Sequence, residues 1–307
     1  MKNFLFNDSI IQVKKVGDKL ETKVIVICNN KGGVGKSTCT AAIADILARK
    51  LGRSTLIIDA DPQGNLSGRF GFRPEIKTVN NSLDVYLYNE LNVAINPEKH
   101  QSVDIKYFFS DCEQFSLNSR VKYENLKIIP ASSSLERIIA AYMASPQESD
   151  GILRKMMRRI KEIEKFEYVL IDTQPNLSYF LKQIMMASDY VIVPVEPVED
   201  AFNGAKAVGH VFNSVAQKKS EFKIDDKIDF LGVFFNKWRK GTVASKKFEL
   251  EITQVWKNNP VFETKIPMNQ DAVNAANLFA PITTARPSST AAKALEKLAK
   301  EMVNKIG

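Results

Sequence analysis

The residues best suited to chemistry are concentrated in Lys31-Gly32-Gly33-Val34-Gly35-Lys36-Ser37-Thr38. Glycines let successive backbone N–H groups converge on the oxygens of a polyphosphate. A helix starting directly behind them turns its positive end toward the same charge. In such a cradle Lys36 reaches the β- and γ-phosphates and the Ser37 hydroxyl ligates Mg²⁺. The common spacing GxxxxGK[ST] is not met in full. Asn30 stands at the first glycine position, and a second lysine, Lys31, comes immediately before the glycine pair.

Phosphoryl transfer also needs a positioned Mg²⁺ and an aligned water, which calls for acids at the ends of neighbouring strands. Two segments supply them. Leu56-Ile57-Ile58-Asp59-Ala60-Asp61-Pro62-Gln63-Gly64-Asn65 places two carboxylates at the end of an apolar run, and Tyr168-Val169-Leu170-Ile171-Asp172 ends another in one.

These residues need a scaffold, and the chain has the rhythm of a parallel α/β sheet. Lys23–Cys28, Thr55–Ile58, Leu126–Ile129, Tyr168–Ile171, Tyr190–Val195 and Phe230–Phe235 read as core strands. The first is largely β-branched, as a strand buried on both faces should be. Helices are predicted over Thr38–Leu51, Asp150–Lys165, Asn176–Ser188, Ala201–Gln217, Ser245–Lys257 and Ser289–Lys305. The stretch Gly64–Tyr123 resists assignment beyond an apolar patch at Leu83–Tyr88 and the pair Phe108-Phe109. The expectation is an α/β fold, a predominantly parallel twisted sheet flanked by helices. Residues 1–22 read as an N-terminal extension and residues 23–307 as a single domain.

Composition narrows the function. Lys and Arg total 43 against 35 Asp and Glu, a net charge of +8, which suits a polyanion partner. No apolar run is long enough to span a bilayer, and the N-terminus lacks a secretory pattern. Cys28, Cys39 and Cys112 have no metal-ligand spacing and suit a reducing cytoplasm. His100 and His210, the only histidines, have no carboxylate cluster nearby.

The segment Lys31–Ser37, with its early lysine, resembles the deviant Walker A group of P-loop ATPases. That group includes ParA-type partition ATPases, MinD-type division-site ATPases and nitrogenase iron protein. The resemblance implies ATP as ligand with Mg²⁺, and a dimer that sandwiches nucleotide, with Lys31 crossing to the partner's phosphates. Asp59-Ala60-Asp61-Pro62-Gln63-Gly64-Asn65 looks like the DxDPQGN segment of the ParA branch. By that likeness Asp59 holds a Mg²⁺-bound water, Asp61 orients the attacking water, and Asp172 serves the metal as the Walker B acid. Asp172-Thr173-Gln174-Pro175 departs from the family's Asp-Thr-Pro-Pro at Gln174. Similarity continues at Val191–Pro197, at Gly232–Lys237, where Asn236 would contact adenine, and at Phe262–Pro267, where Pro267 ends a base-binding T-x-I-P stretch.

Three readings follow. A ParA-type ATPase would bind DNA non-specifically as an ATP dimer and answer to a centromere-binding, ParB-type adaptor, on the nucleoid in the cytoplasm. A MinD-like ATPase would cycle on a membrane. A metabolic ligase would use a similar loop. The DPQGN segment favours the first. Lone Cys112 argues against an iron–sulfur cluster held between subunits, and the last helix, with much alanine and no Trp or Phe, argues against stable membrane association. DNA would meet one of three basic patches: Arg154, Arg158, Lys161 and Lys165; Lys293, Lys297 and Lys300; or Lys237, Arg239, Lys240, Lys246 and Lys247 near Trp238. The N-terminal region is too short for a helix-turn-helix domain.

Overall fold

A computed structural model describes residues 21–72, 80–116, 119–163, 165–222, 227–255 and 260–307. All but the last two residues of the expected extension, 1–22, lie outside these. Strand β1 (Lys23–Ile27) leads through the glycine turn into α1 (Lys36–Asp45), which widens into a π-helical turn at Ile46–Lys50. Next come β2 (Thr55–Ala60), α2 (Asn65–Gly68), α3 (Leu83–Ile95), the strands β3 (Ser110–Ser116) and β4 (Ser119–Ile129), α4 (Leu135–Ala144), α5 (Pro146–Ser149) and α6 (Ile152–Glu162). The chain continues through β5 (Tyr168–Thr173), α7 (Tyr179–Met186), β6 (Tyr190–Val195), α8 (Glu199–Glu221) and β7 (Asp229–Phe235). Helices α9 (Val243–Val255), α10 (Gln270–Asn277), α11 (Ile282–Ala285) and α12 (Thr290–Ile306) complete it.

The strands form one sheet in the order β3-β4-β2-β5-β1-β6-β7. Every neighbouring pair is parallel except β3 with β4. Because side chains alternate along a strand, the sheet divides its apolar residues between two cores. Val24, Val26, Leu56, Ile58, Val169 and Ile171 face one side, under α3, α4, α6, α7 and α8. Ile25, Ile27, Ile57 and Leu170 face the other, under α1 and α12. This covering of both faces is why the central strands read as unbroken apolar runs.

The predicted strands and helices are all present, with ends moved by a few residues. Several features are new, the larger ones being these. β4 is longer than the predicted Leu126–Ile129 and pairs antiparallel with β3, whose sequence Ser-Asp-Cys-Glu-Gln-Phe-Ser carries little strand signal. Helices α3 and α4 fill stretches left unassigned. Helix α10 buries only Ala275, so its sequence shows no apolar stripe.

Candidate nucleotide site

The site lies beyond the C-terminal ends of β1, β2 and β5, where a parallel sheet opens a crevice. Strands β2 and β5 pair with Asp59 opposite Asp172, and Asp172 is also the partner of Ile27 in β1. Both acids stand two residues beyond side chains that face α1, Ile57 and Leu170, so the pleat turns both carboxylates toward the helix that follows the glycine turn. Register alone thus brings together two acids that are 113 residues apart in the chain.

The turn is shaped around Gly35. Its φ is +94°, a left-handed conformation, and a Cβ there would lie 2.2 Å from Asn236 Nδ2. Asn236 comes so close because its amide donates to the Val34 carbonyl at 2.7 Å, while its backbone N–H donates to Val195 at 2.8 Å. Glycine is needed on both counts. Lys36 is 6% exposed, and its ammonium folds across the loop to donate to the Lys31 carbonyl at 3.2 Å. Burial lowers the Lys36 pKa, while Asp172 and Asp61 oppose the shift.

Asp59 is fully buried. One oxygen accepts from the Ser67 N–H at 2.8 Å and the Ser67 hydroxyl at 2.7 Å, and the other accepts from the Asp61 N–H at 3.2 Å. Burial nevertheless pushes its carboxyl up to about 6, against those bonds. Asp61 accepts from the Gln63 N–H at 3.0 Å. Asp172, also fully buried, rises to about 8 through burial and then through the Asp59 charge; the Ser37 hydroxyl and Lys36 pull the other way. The Thr40 hydroxyl reaches one Asp172 oxygen at 3.4 Å, and the other oxygen, Oδ2, has no partner.

Two crowded buried carboxyls, one with an orphaned oxygen, fit a divalent cation. Among the described residues no three His, Cys, Asp or Glu side chains form a metal cage. That donor set suits Mg²⁺, which keeps waters and phosphate oxygens rather than a full set of protein ligands.

Beside the glycine turn a cavity of about 300 Å³ is lined by Thr38, Asn236, Pro267, Met268, Ala272 and Leu295 among others. Its mainly apolar walls with a few polar groups suit a planar base. The structure therefore brings Asn236 and Pro267 together with the turn around one cavity. Pro267 is held there because its segment runs alongside β7, with the Ile266 N–H donating to Phe235 and the Trp238 N–H donating to Ile266, each at 2.8 Å. The walls from α10 and Met268 were not foreseen.

Lys31 is placed differently from Lys36. Its backbone N–H donates to Asn29 Oδ1 at 2.9 Å, and Asn29 in turn donates to the Pro194 carbonyl at 2.8 Å. A Cβ on Gly204 of α8 would lie 2.5 Å from that Asn29 oxygen, so α8 backs directly onto the start of the loop. The Lys31 ammonium points out of its own cradle and pairs with Asp200 at 3.0 Å, the two side chains being 44% and 73% exposed.

Among the thiols, Cys39 is in the wall of the cavity. All three are buried, and burial pushes Cys28 and Cys39 up to about 12. His100 and His210 are exposed on the surface. No helix among the described residues is long and apolar enough to cross a membrane.

A family model described as an AAA domain matches residues 22–224. The chain is 26% identical over 285 residues to the chromosome-partitioning ATPase Soj of Treponema pallidum, covering 93% of this chain and 98% of that protein. Its fold is similar to that of apo McdA of Cyanthece, with a TM-score of 0.70 at 20% identity over 93% of this chain and 100% of that one. It is also similar to the septum site-determining protein MinD of Pyrococcus horikoshii OT3 in complex with Mg-ADP, with a TM-score of 0.62 at 22% identity over 93% and 97% of the two chains. The family match begins just before β1 and takes in the glycine turn and all three site acids, and this chain belongs to the ParA/MinD family of P-loop ATPases.

Proposed function

We propose that this chain is a partition ATPase in which Mg-ATP drives homodimer formation and non-specific DNA binding, and partner-stimulated hydrolysis reverses both. The observation that carries the reading is the contrast between the two lysines. Lys36 is buried within the loop, whereas Lys31 starts from the same loop and ends exposed on Asp200. A cation held at the surface beside a phosphate site suits a second subunit's phosphates better than its own.

The chemistry follows from the residues. The N–H groups of Gly32–Thr38 and the Lys36 ammonium hold the phosphates. Ser37, Asp59 and Asp172 would hold Mg²⁺, directly or through water. Bound Mg²⁺ neutralises charge on the transferred phosphoryl group. Asp61, buried just past the end of β2, aligns the attacking water, and Lys31 of the second subunit stabilises the charge that develops. Asn236 and Pro267 hold the base.

Of the three basic patches, the one on α6 is largely offset by its own acids. Arg154 lies 3.9 Å from Asp150, Arg158 3.8 Å from Glu162 and Lys161 2.8 Å from Asp189. In the other two patches Lys237, Lys247 and Lys300 are also paired with acids, but Lys240, Lys246, Lys293 and Lys297 are exposed and form no ion pair among the described residues, which favours these two patches as the DNA surface. Two such patches joined in a dimer bind far more tightly than one. On α12 the apolar residues Leu295, Leu298 and Met302 are buried in the domain, which favours no stable membrane association. A centromere-binding, ParB-type adaptor is the expected hydrolysis partner, which puts the working protein on the nucleoid.

Incubation with plasmid DNA or with anionic liposomes, each with ATP and with ADP, tests the reading. A salt-sensitive DNA shift with ATP is expected, and Asp61→Ala should hold it, with an ATP dimer visible by sizing chromatography. Binding to liposomes alone would replace this reading with a membrane-cycling one.

A further inference from the structure

Arg69, just after α2, is an unusual side chain to find beside this site. It is 7% exposed, yet it forms no ion pair with any described carboxylate. Its Nη2 donates to the Thr38 hydroxyl at 3.0 Å and its Nη1 to the Ala280 carbonyl at 3.2 Å. Its third donor, Nε, is buried without a partner. A buried guanidinium that feels the Asp172 charge only from beyond ion-pair distance, and whose Nε has no partner, is costly for the nucleotide-free fold. An anion bound nearby would offset that cost.

Thr38 shows where that anion lies. Lys36 and Ser37 serve the outer phosphates and the metal. Thr38, one residue further on, lines the cavity assigned to the base. Its hydroxyl therefore faces the phosphate nearest the nucleoside. A hydroxyl carries one proton and two lone pairs. When Thr38 accepts from a guanidinium, its own proton remains to be donated, and no described residue accepts it. The cationic donor also polarises the hydroxyl and strengthens that second bond.

We propose that Arg69 is a nucleotide-positioning residue, which holds the Thr38 hydroxyl as an oriented donor to the inner phosphate and whose charge the bound phosphates complete. Through Ala280 the same side chain ties the phosphate loop to the segment that follows α10, a wall of the base cavity. The inner phosphate is common to ATP and ADP, so Arg69 supports both ligands alike. It sets KM more than kcat, as uniform binding does.

The proposal rests on the phosphate-loop assignment, and the test separates the two. ATP and ADP affinities with Mg²⁺, the ATPase constants, and the melting temperature of the nucleotide-free chain are measured for the full chain and for Arg69→Met, Arg69→Lys, Thr38→Ala, Arg69→Met with Thr38→Ala, and Lys36→Ala. Arg69→Met should weaken ATP and ADP by similar factors of about tenfold, the scale of one charge-assisted hydrogen bond. Its KM should rise by more than its kcat falls, and its nucleotide-free melting temperature should not drop. Arg69→Lys, which keeps the charge but not the fork, should fall between parent and Met. The double variant should bind no worse than the weaker single one. Unchanged affinity, a loss confined to ATP, or additive effects would overturn the proposal. So would an Arg69→Met chain that melts earlier or fails to fold, since the guanidinium would then be a structural strut. Lys36→Ala binding ADP like the parent would instead remove the phosphate-loop assignment itself.

Discussion

Replacing Asp172 by Asn should make the nucleotide-free protein more stable while disabling it as an enzyme. The carboxyl is fully buried beside Asp59, and its pKa rises from an ordinary 3.8 to about 8. A folded-state pKa above the unfolded one means that the native chain keeps a proton the unfolded chain has already released. The stability from this group is therefore complete below about pH 4 and is lost as pH rises toward 8. Fully developed, the loss is on the order of 5 kcal/mol, shared with Asp59, since two such close acids titrate as a pair. An Asn side chain preserves the shape and can still accept from Thr40, but has no charge to bury. The assay is denaturant unfolding of parent and Asp172→Asn from pH 5 to pH 9, without nucleotide and with a metal chelator. The parent should lose stability across that range, most steeply between about pH 5 and 7, and level off above pH 8. The variant should show a shallower slope and exceed the parent at pH 8 by several kcal/mol. Added Mg²⁺ should restore the parent more than the variant, because the metal takes the deprotonated carboxylate. A parent whose stability rises from pH 6 to 8, or a variant weaker than the parent at pH 8, would refute the reasoning.

Two further perturbations bear on the loop. Lys31→Ala breaks an exposed ion pair, whose contribution is about 0–1 kcal/mol. It should leave folding and monomer ATP binding intact while abolishing the ATP-dependent dimer on sizing chromatography; loss of ATP binding by the monomer would put Lys31 in its own cradle instead. Gly35→Ala should lower the melting temperature and nucleotide affinity together. A left-handed backbone costs a residue with a Cβ about 1–2 kcal/mol, and the 2.2 Å approach forces Asn236 off Val34. Parent-like ADP binding by that variant would show the turn to be more tolerant than its geometry implies.

Much of this site is legible before any coordinates. Strands buried on both faces leave unbroken β-branched runs, so Asp59 and Asp172 are conspicuous at their ends. The loop carries its chemistry in consecutive residues. What the sequence hides is set by tertiary contacts. Strand β3 is polar because it lies at a sheet edge, and its partner β4 supplies the order. Helix α10 offers only small apolar residues, and its one local signal is Asn269, whose side chain caps the Asp271 N–H at 2.6 Å. Arg69 reads like any surface arginine. Its burial depends on Thr38 and Ala280, which lie 31 residues before it and 211 after it.

The tether between Asn236 and the phosphate loop also has a bearing on which base is chosen. With one N–H of its amide given to the Val34 carbonyl, Asn236 keeps Oδ1 and one further N–H to offer the cavity it lines. An exocyclic amino group that faces Oδ1 finds a partner, whereas a carbonyl facing it meets a lone pair and leaves two oxygens unsatisfied. A base seated against Oδ1 would favour adenine over guanine, and GTP competing as well as ATP would show that the remaining N–H, or a turned amide, meets the base instead.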